Sequence, residues 1–94
     1  MKMIEYVSVL KLKALEGHRL WLRFSNGEEG IRDFADILAA GGEVIEPIRD
    51  EAMFSRAFLS RGVPTWPSGL QLDPTNLHME LAAMHALTVP AAAE

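Results

Sequence analysis

The 94-residue chain contains no cysteine. A disulfide framework, a thiolate nucleophile and a thiolate metal site are therefore excluded, and the absence fits a reducing, cytoplasmic setting. Long apolar runs are missing too. Nothing approaches the roughly 18 apolar residues of a membrane span, and Glu5, Lys11 and Lys13 interrupt the stretch where a signal peptide would lie. Positive charge is sparse: nine Lys and Arg against thirteen Asp and Glu give a formal net charge of −4. Phosphate binding draws on clustered Lys and Arg, and only Lys11 and Lys13 stand close together. No direct nucleic-acid contact, no membrane contact and no cofactor are expected. A phosphate loop, an adjacent nucleophile–base pair and a metal-ligand cluster are likewise missing, so the expectation is a protein that is not an enzyme.

What is present is a globular composition. Hydrophobic residues make up 49% of the chain, well above the range of disordered segments. The length fits one domain, expected over residues 1–88, with a flexible tail at 89–94 containing Pro90 and three alanines.

The residue pattern predicts an α+β fold: a small antiparallel β-sheet of hairpins with a short helix and a C-terminal helix. A strand is expected over Ile4 to Lys13, with Gly17-His18 in the following turn. Leu20, Leu22 and Phe24 then alternate with Trp21, Arg23 and Ser25, the period of two of a half-buried strand. Asn26-Gly27 predicts a two-residue type I′ hairpin turn. That register sets Leu22 opposite Ile31 on one face and Trp21 opposite Arg32 on the other. A three-residue loop would pair Leu22 with Gly30 and move Ile31 to the Trp21 side. A one-residue slip flips every side chain, so burial of Ile31 favours the shorter loop.

Asp33 reads as a helix N-cap. Phe34, Ile37 and Leu38 follow with helical spacing, and Gly41-Gly42 closes the helix. Pro47 interrupts the apolar run Val44 to Ile48, which reads as an extended edge segment. Asp50 can cap a helical turn through Phe54. Two short strands, Ala57 to Ser60 and Val63 to Trp66, flank Arg61-Gly62. Trp66-Pro67-Ser68-Gly69 makes a second turn, with Trp66 as a core anchor. Asp73-Pro74 then starts a helix running to about Leu87, with Leu77, Leu81 and Met84 on one side.

These motifs, in this order, resemble a bacterial family, domain of unknown function 2442. The resemblance rests on Leu22-Arg23-Phe24-Ser25-Asn26-Gly27, Arg32-Asp33-Phe34, Pro47-Ile48-Arg49-Asp50 with Phe54, Trp66-Pro67-Ser68-Gly69 and Leu72-Asp73-Pro74. It covers roughly residues 5 to 78. Ile48 stands where the family usually has leucine, and Ser68 where it has asparagine. The resemblance implies a small α+β fold with an antiparallel sheet and brings no catalytic residues. Some relatives fuse the domain to a helix-turn-helix module, and others are encoded beside small toxin-like proteins. It therefore implies an interaction or regulatory role, such as the antitoxin-like half of a two-protein system with a small toxin-like partner. The alternative is a small ligand-binding or enzymatic domain with a pocket of convergent polar groups.

The candidate interaction surface has two parts. Trp21, Arg23 and Arg32 are expected together on the outer sheet face, a composition common at protein interfaces; the plainer reading is Arg32 stacked on Trp21. Met79 and Ala83 belong to a last helix too apolar for one narrow stripe, which suggests a homodimer or partner contact. His78 and His85, seven apart, fit surface or partly packed histidines better than a zinc pair.

Overall fold

The computed structural model describes residues 6–89. Three strands, β1 (Val9–Leu15), β2 (Arg19–Phe24) and β3 (Glu29–Asp33), form an antiparallel sheet in the order β1-β2-β3. Three short helices follow: α1 (Ala35–Ala40), α2 (Glu46–Arg49) and α3 (Glu51–Phe54). A separate hairpin of β4 (Phe58–Ser60) and β5 (Val63–Thr65) leads into α4 (Pro74–Ala83). The α+β reading holds. The expected strand start at Ile4 and the expected tail from residue 90 onward lie outside the described residues.

Among the described residues, one face of the sheet is covered and the other is not. Leu20, Leu22 and Phe24 point inward and are fully buried. They meet Phe34, Ile48, Phe54, Trp66, Leu77 and Leu81 in one apolar cluster. Trp66 closes it: its indole Nε1 donates to the Phe54 carbonyl at 2.9 Å, and its ring lies 5.9 Å from those of Phe34 and Phe54. The turn that delivers it is held by Gly69 N donating to Trp66 O at 2.9 Å.

The β2–β3 hairpin differs from the expected register. Leu22 pairs with Gly30, and Trp21 pairs with Ile31. The loop is Ser25-Asn26-Gly27, closed by Gly27 N to Phe24 O at 2.9 Å and Phe24 N to Glu28 O at 2.8 Å. Only Gly27 in that loop has positive φ, at 93°, so this is a turn ending in a glycine bulge and not a type I′ turn. Asn26 serves through its side chain: its Oδ1 accepts from Glu28 N at 3.0 Å. Helix packing explains the register. Residues just after α4 cross the sheet at Gly30, where a Cβ would lie 3.0 Å from the Ala86 carbonyl and 3.1 Å from Leu81 Cδ1. No isoleucine fits that inward position, so Ile31 faces out and is 43% exposed.

Nothing stands within 4 Å of a Cβ built on Gly27. Substitution there is therefore a test of backbone conformation alone. Gly27→Val is expected to lower stability by about 1–3 kcal/mol, read as a lower denaturant midpoint at unchanged slope. An unchanged midpoint would contradict the left-handed conformation.

Two other expectations shift. Val44 to Ile48 is not extended: α2 starts at Glu46, with Pro47 in its first turn, where a missing N–H breaks no helical bond. α4 ends at Ala83, short of Leu87, because His85 adopts φ 55°. Ala86 N donates to Leu81 O at 2.9 Å and His85 N to Ala82 O at 3.1 Å, the paired bonds of a Schellman motif. Met84 is consequently at the helix cap and 53% exposed, not on the buried side. Beyond the cap, Thr88 exchanges both backbone hydrogen bonds with Glu29 at 2.8 Å, extending the β3 edge.

Helix starts follow the sequence more closely. Asp73 caps α4 by accepting from Thr75 N at 3.1 Å, with Pro74 next. Asp33 accepts from Ala35 N at 2.9 Å, as an N-cap would, although Phe34 occupies the formal cap position. Asp50 stands at the α3 cap position without a side-chain bond. The β4–β5 hairpin turns at Arg61-Gly62, with φ of 54° and 79°, so the two-residue turn with both φ positive lies here.

Candidate functional site

The uncovered sheet face is the chain's most distinctive surface. Residues directly opposite one another in a ladder share a face. The pairs Lys11–Arg23, Lys13–Trp21, Trp21–Ile31, Arg23–Glu29 and Arg19–Asp33 therefore assemble one outer surface centred on Trp21. Trp21 and Arg23 are half-buried, while Lys11, Lys13 and Ile31 are exposed. Arg23 Nε donates to Glu29 Oε2 at 2.7 Å. Lys11 and Lys13 have no ion-pair partner among the described residues.

Trp21 divides two shallow grooves. One, about 510 Å³, is lined by Lys11, Leu12, Lys13, Trp21, Ala57, Phe58 and Leu59. The other, about 300 Å³, runs along Trp21, Glu29, Gly30, Ile31, Ala86 and Thr88. Phe58 at the far wall of the first is 45% exposed. A half-buried indole between two open grooves and flanked by cations has the make-up of an interface anchor. Lys11 and Lys13 were visible in the sequence as a basic pair. Ile31, expected on the core face, reaches this surface through the hairpin register, and Phe58 through the placement of β4.

Arg32 is not on this face. The three-residue loop turns it inward opposite Leu20, where it is 3% exposed. The expected stacking on Trp21 is therefore replaced by an ion-pair junction. Arg32 Nη1 and Nη2 fork onto Asp36 Oδ1 and Oδ2 at 2.8 and 3.1 Å, and Nε donates to Glu80 Oε1 at 3.0 Å. Hydrogen bonding to Asp36, and then Glu80, raises the guanidinium pKa, while the same contact lowers that of the Asp36 carboxyl. The side chain ties β3 to α1 and α4.

His78 is also buried, 7% exposed, and more engaged than a surface histidine. Its Nε2 donates to Glu28 Oε1 at 2.6 Å and its ring meets Phe24 edge-on at 5.1 Å. That hydrogen bond, aided by one from Asn26, holds the Glu28 carboxyl below its ordinary value of 4.5. A depressed carboxyl pKa stabilises the fold above the unfolded value and loses that contribution as pH falls through the folded one. Stability is therefore expected to drop as pH is lowered below about 4.5. Glu28→Gln should flatten that acid limb in denaturant titrations; an equally steep limb in the variant would contradict the assignment. His85 serves as the exposed left-handed cap residue. His18 is a turn residue whose Nε2 lies 3.0 Å from both the Ile48 and Arg49 carbonyls. No group of three or more potential metal ligands occurs among the described residues.

The second part of the expected surface is on α4. Met79 is 45% exposed and Ala83 is exposed, while Leu77, His78 and Leu81 face the core. The five expected surface residues thus fall in three places: Trp21 and Arg23 on the outer sheet face, Arg32 inside, Met79 and Ala83 on α4. No helix among the described residues is long and apolar enough to cross a membrane.

A family model described as a protein of unknown function, DUF2442, matches residues 9–82. The match spans most of the 94-residue chain, and the chain belongs to that family. No curated protein and no solved structure shows a significant match.

Proposed function

Starting from that family membership, we propose that the chain is a non-enzymatic protein-interaction domain whose recognition surface is the outer face of the β1-β2-β3 sheet. The carrying observation is the half-buried Trp21 set between two open grooves, with Arg23 and Ile31 beside it and, among the described residues, no secondary structure covering it. Aromatic and arginine side chains dominate the binding energy of protein interfaces. The inner polar groups have a different character. The contacts of Arg32, His78 and Trp66 join elements of the fold, and among the described residues no buried side-chain nitrogen or oxygen lacks a partner. An antitoxin-like role beside a small toxin-like protein fits such a domain.

Affinity purification from the native host, comparing the parent chain with Trp21→Asp, tests the reading. A protein that accompanies the parent and is lost from an equally stable variant is the expected result. Retention of every accompanying protein by Trp21→Asp would overturn it.

A further inference from the structure

We propose that the groove between β1 and β4 receives an extended, acidic segment of a partner protein. This rests on the proposed interaction role and names the chemistry of the partner. The first support is charge. Four of the nine basic residues, Lys11, Lys13, Arg19 and Arg23, stand on the outer sheet face with two carboxylates, Glu29 and Asp33. The face is net positive in a chain whose net charge is −4. Two of those carboxylate and cation groups already satisfy each other, as Arg23 and Glu29 are ion-paired. Of the face's cations, Lys11, Lys13 and Arg19 have no ion pair among the described residues, and the two lysines line the groove. Complementary charge steers a partner to this face and like charge elsewhere repels it.

The second support is the backbone. Among the described residues β1 is an edge strand of its sheet, and β4 has β5 as its only ladder partner. β1 meets the β4–β5 turn where Val9 N donates to Gly62 O at 2.9 Å. Among the described residues no ladder joins β1 to β4, so beyond Val9 the β1 edge and the outer β4 edge carry no ladder partner. The β1–β2 register shifts between Val9 and Lys11, and Leu10 is 56% exposed. Unpaired strand edges accept extended peptides, with alternate side chains read by pockets. Trp21 and Phe58 supply apolar contact for one set of side chains, and Lys11 and Lys13 supply charge for the other. A nucleic acid would meet the same cations, and the oligonucleotide arm of the test below separates it from the peptide.

The test is a titration of the isotope-labelled full chain, followed by amide NMR shifts and tryptophan fluorescence. Trp66 is buried, so Trp21 reports solvent changes at the face. Three probes are compared: a capped decapeptide of alternating glutamate and valine, its lysine-for-glutamate counterpart, and a ten-nucleotide oligothymidylate. The acidic peptide is expected to shift the amides of Lys11, Lys13, Trp21 and Phe58. Its binding should weaken about tenfold in the doubly substituted Lys11→Glu/Lys13→Glu chain and fall with added salt. Lys11→Gln/Lys13→Gln, which introduces no repulsion, should give a smaller loss in the same direction. Equal or tighter binding of the basic peptide or the oligonucleotide, shifts confined to other residues, or no binding would overturn the proposal. If it is overturned while Trp21→Asp still releases the native partner, the interaction reading stands and only the partner's chemistry is wrong. If Trp21→Asp releases nothing, the interaction reading falls as well.

Discussion

Trp66→Ala is expected to lower the unfolding free energy by about 3–5 kcal/mol, the cost of removing a large aromatic from a packed core. The side chain is 1% exposed and touches two phenylalanine rings. The truncation also leaves the Phe54 carbonyl without its indole donor, and an unpaired buried acceptor adds about 1–3 kcal/mol to such losses. Whole domains hold only about 5–15 kcal/mol, so the variant should be largely unfolded well below the parent's midpoint. Trp66→Phe keeps much of the apolar volume and should lose less. Equilibrium urea unfolding followed by circular dichroism checks both. Parental stability in Trp66→Ala would show that the indole is not a core anchor.

The second large effect concerns Arg32 and depends on which partner is removed. The guanidinium is buried, its side chain 4% exposed, whereas the side chains of Asp36 and Glu80 are 62% and 35% exposed. Replacing both carboxylates, as Asp36→Ala/Glu80→Ala, strands a buried charge. Breaking a buried pair in this way costs about 3–5 kcal/mol. Arg32→Met leaves two carboxylates that water can reach and fills the space with a flexible apolar chain, so its cost should be smaller. Adding Arg32→Met to the double variant should then restore stability. The comparison is made by denaturant unfolding of the four chains. A larger loss from Arg32→Met than from the double carboxylate variant would contradict the asymmetry.

The same residue shows why the outer face was only half legible. Alternation over Leu20 to Phe24 correctly separates inward leucines from outward Trp21 and Arg23, because those residues obey the strand period. The far side of the hairpin is set by tertiary contact. Ile31 is the more hydrophobic candidate for the core, yet the chain around Leu81 and Ala86 leaves room only for glycine at the inward position before it. Arg32 then turns in, and its charge is tolerated because α1 and α4 bring Asp36 and Glu80 within 2.8 and 3.0 Å. No local rule places a carboxylate 48 residues away. His78 follows the same logic: its partner Glu28 is 50 residues distant. Caps were read more reliably. Asp73-Pro74 opens α4, and the Trp66-Pro67-Ser68-Gly69 turn delivers a buried indole, because both depend on backbone chemistry within a few residues. Pro47 is ambiguous for the converse reason: a proline suits both an edge strand and the first turn of a helix, and here it stands in the first turn of α2, beside the buried Ile48.

The outer sheet face as a recognition surface is the central claim. Amide hydrogen exchange on the full chain, alone and in the complex recovered from the native host, addresses it most directly. Slower exchange on binding, confined to β1, β2 and the β4 strand beside Lys11, Lys13, Trp21 and Phe58, is the predicted result. Protection on α4 around Met79 and Ala83, with the β1–β2 face exchanging as in the free chain, would contradict it.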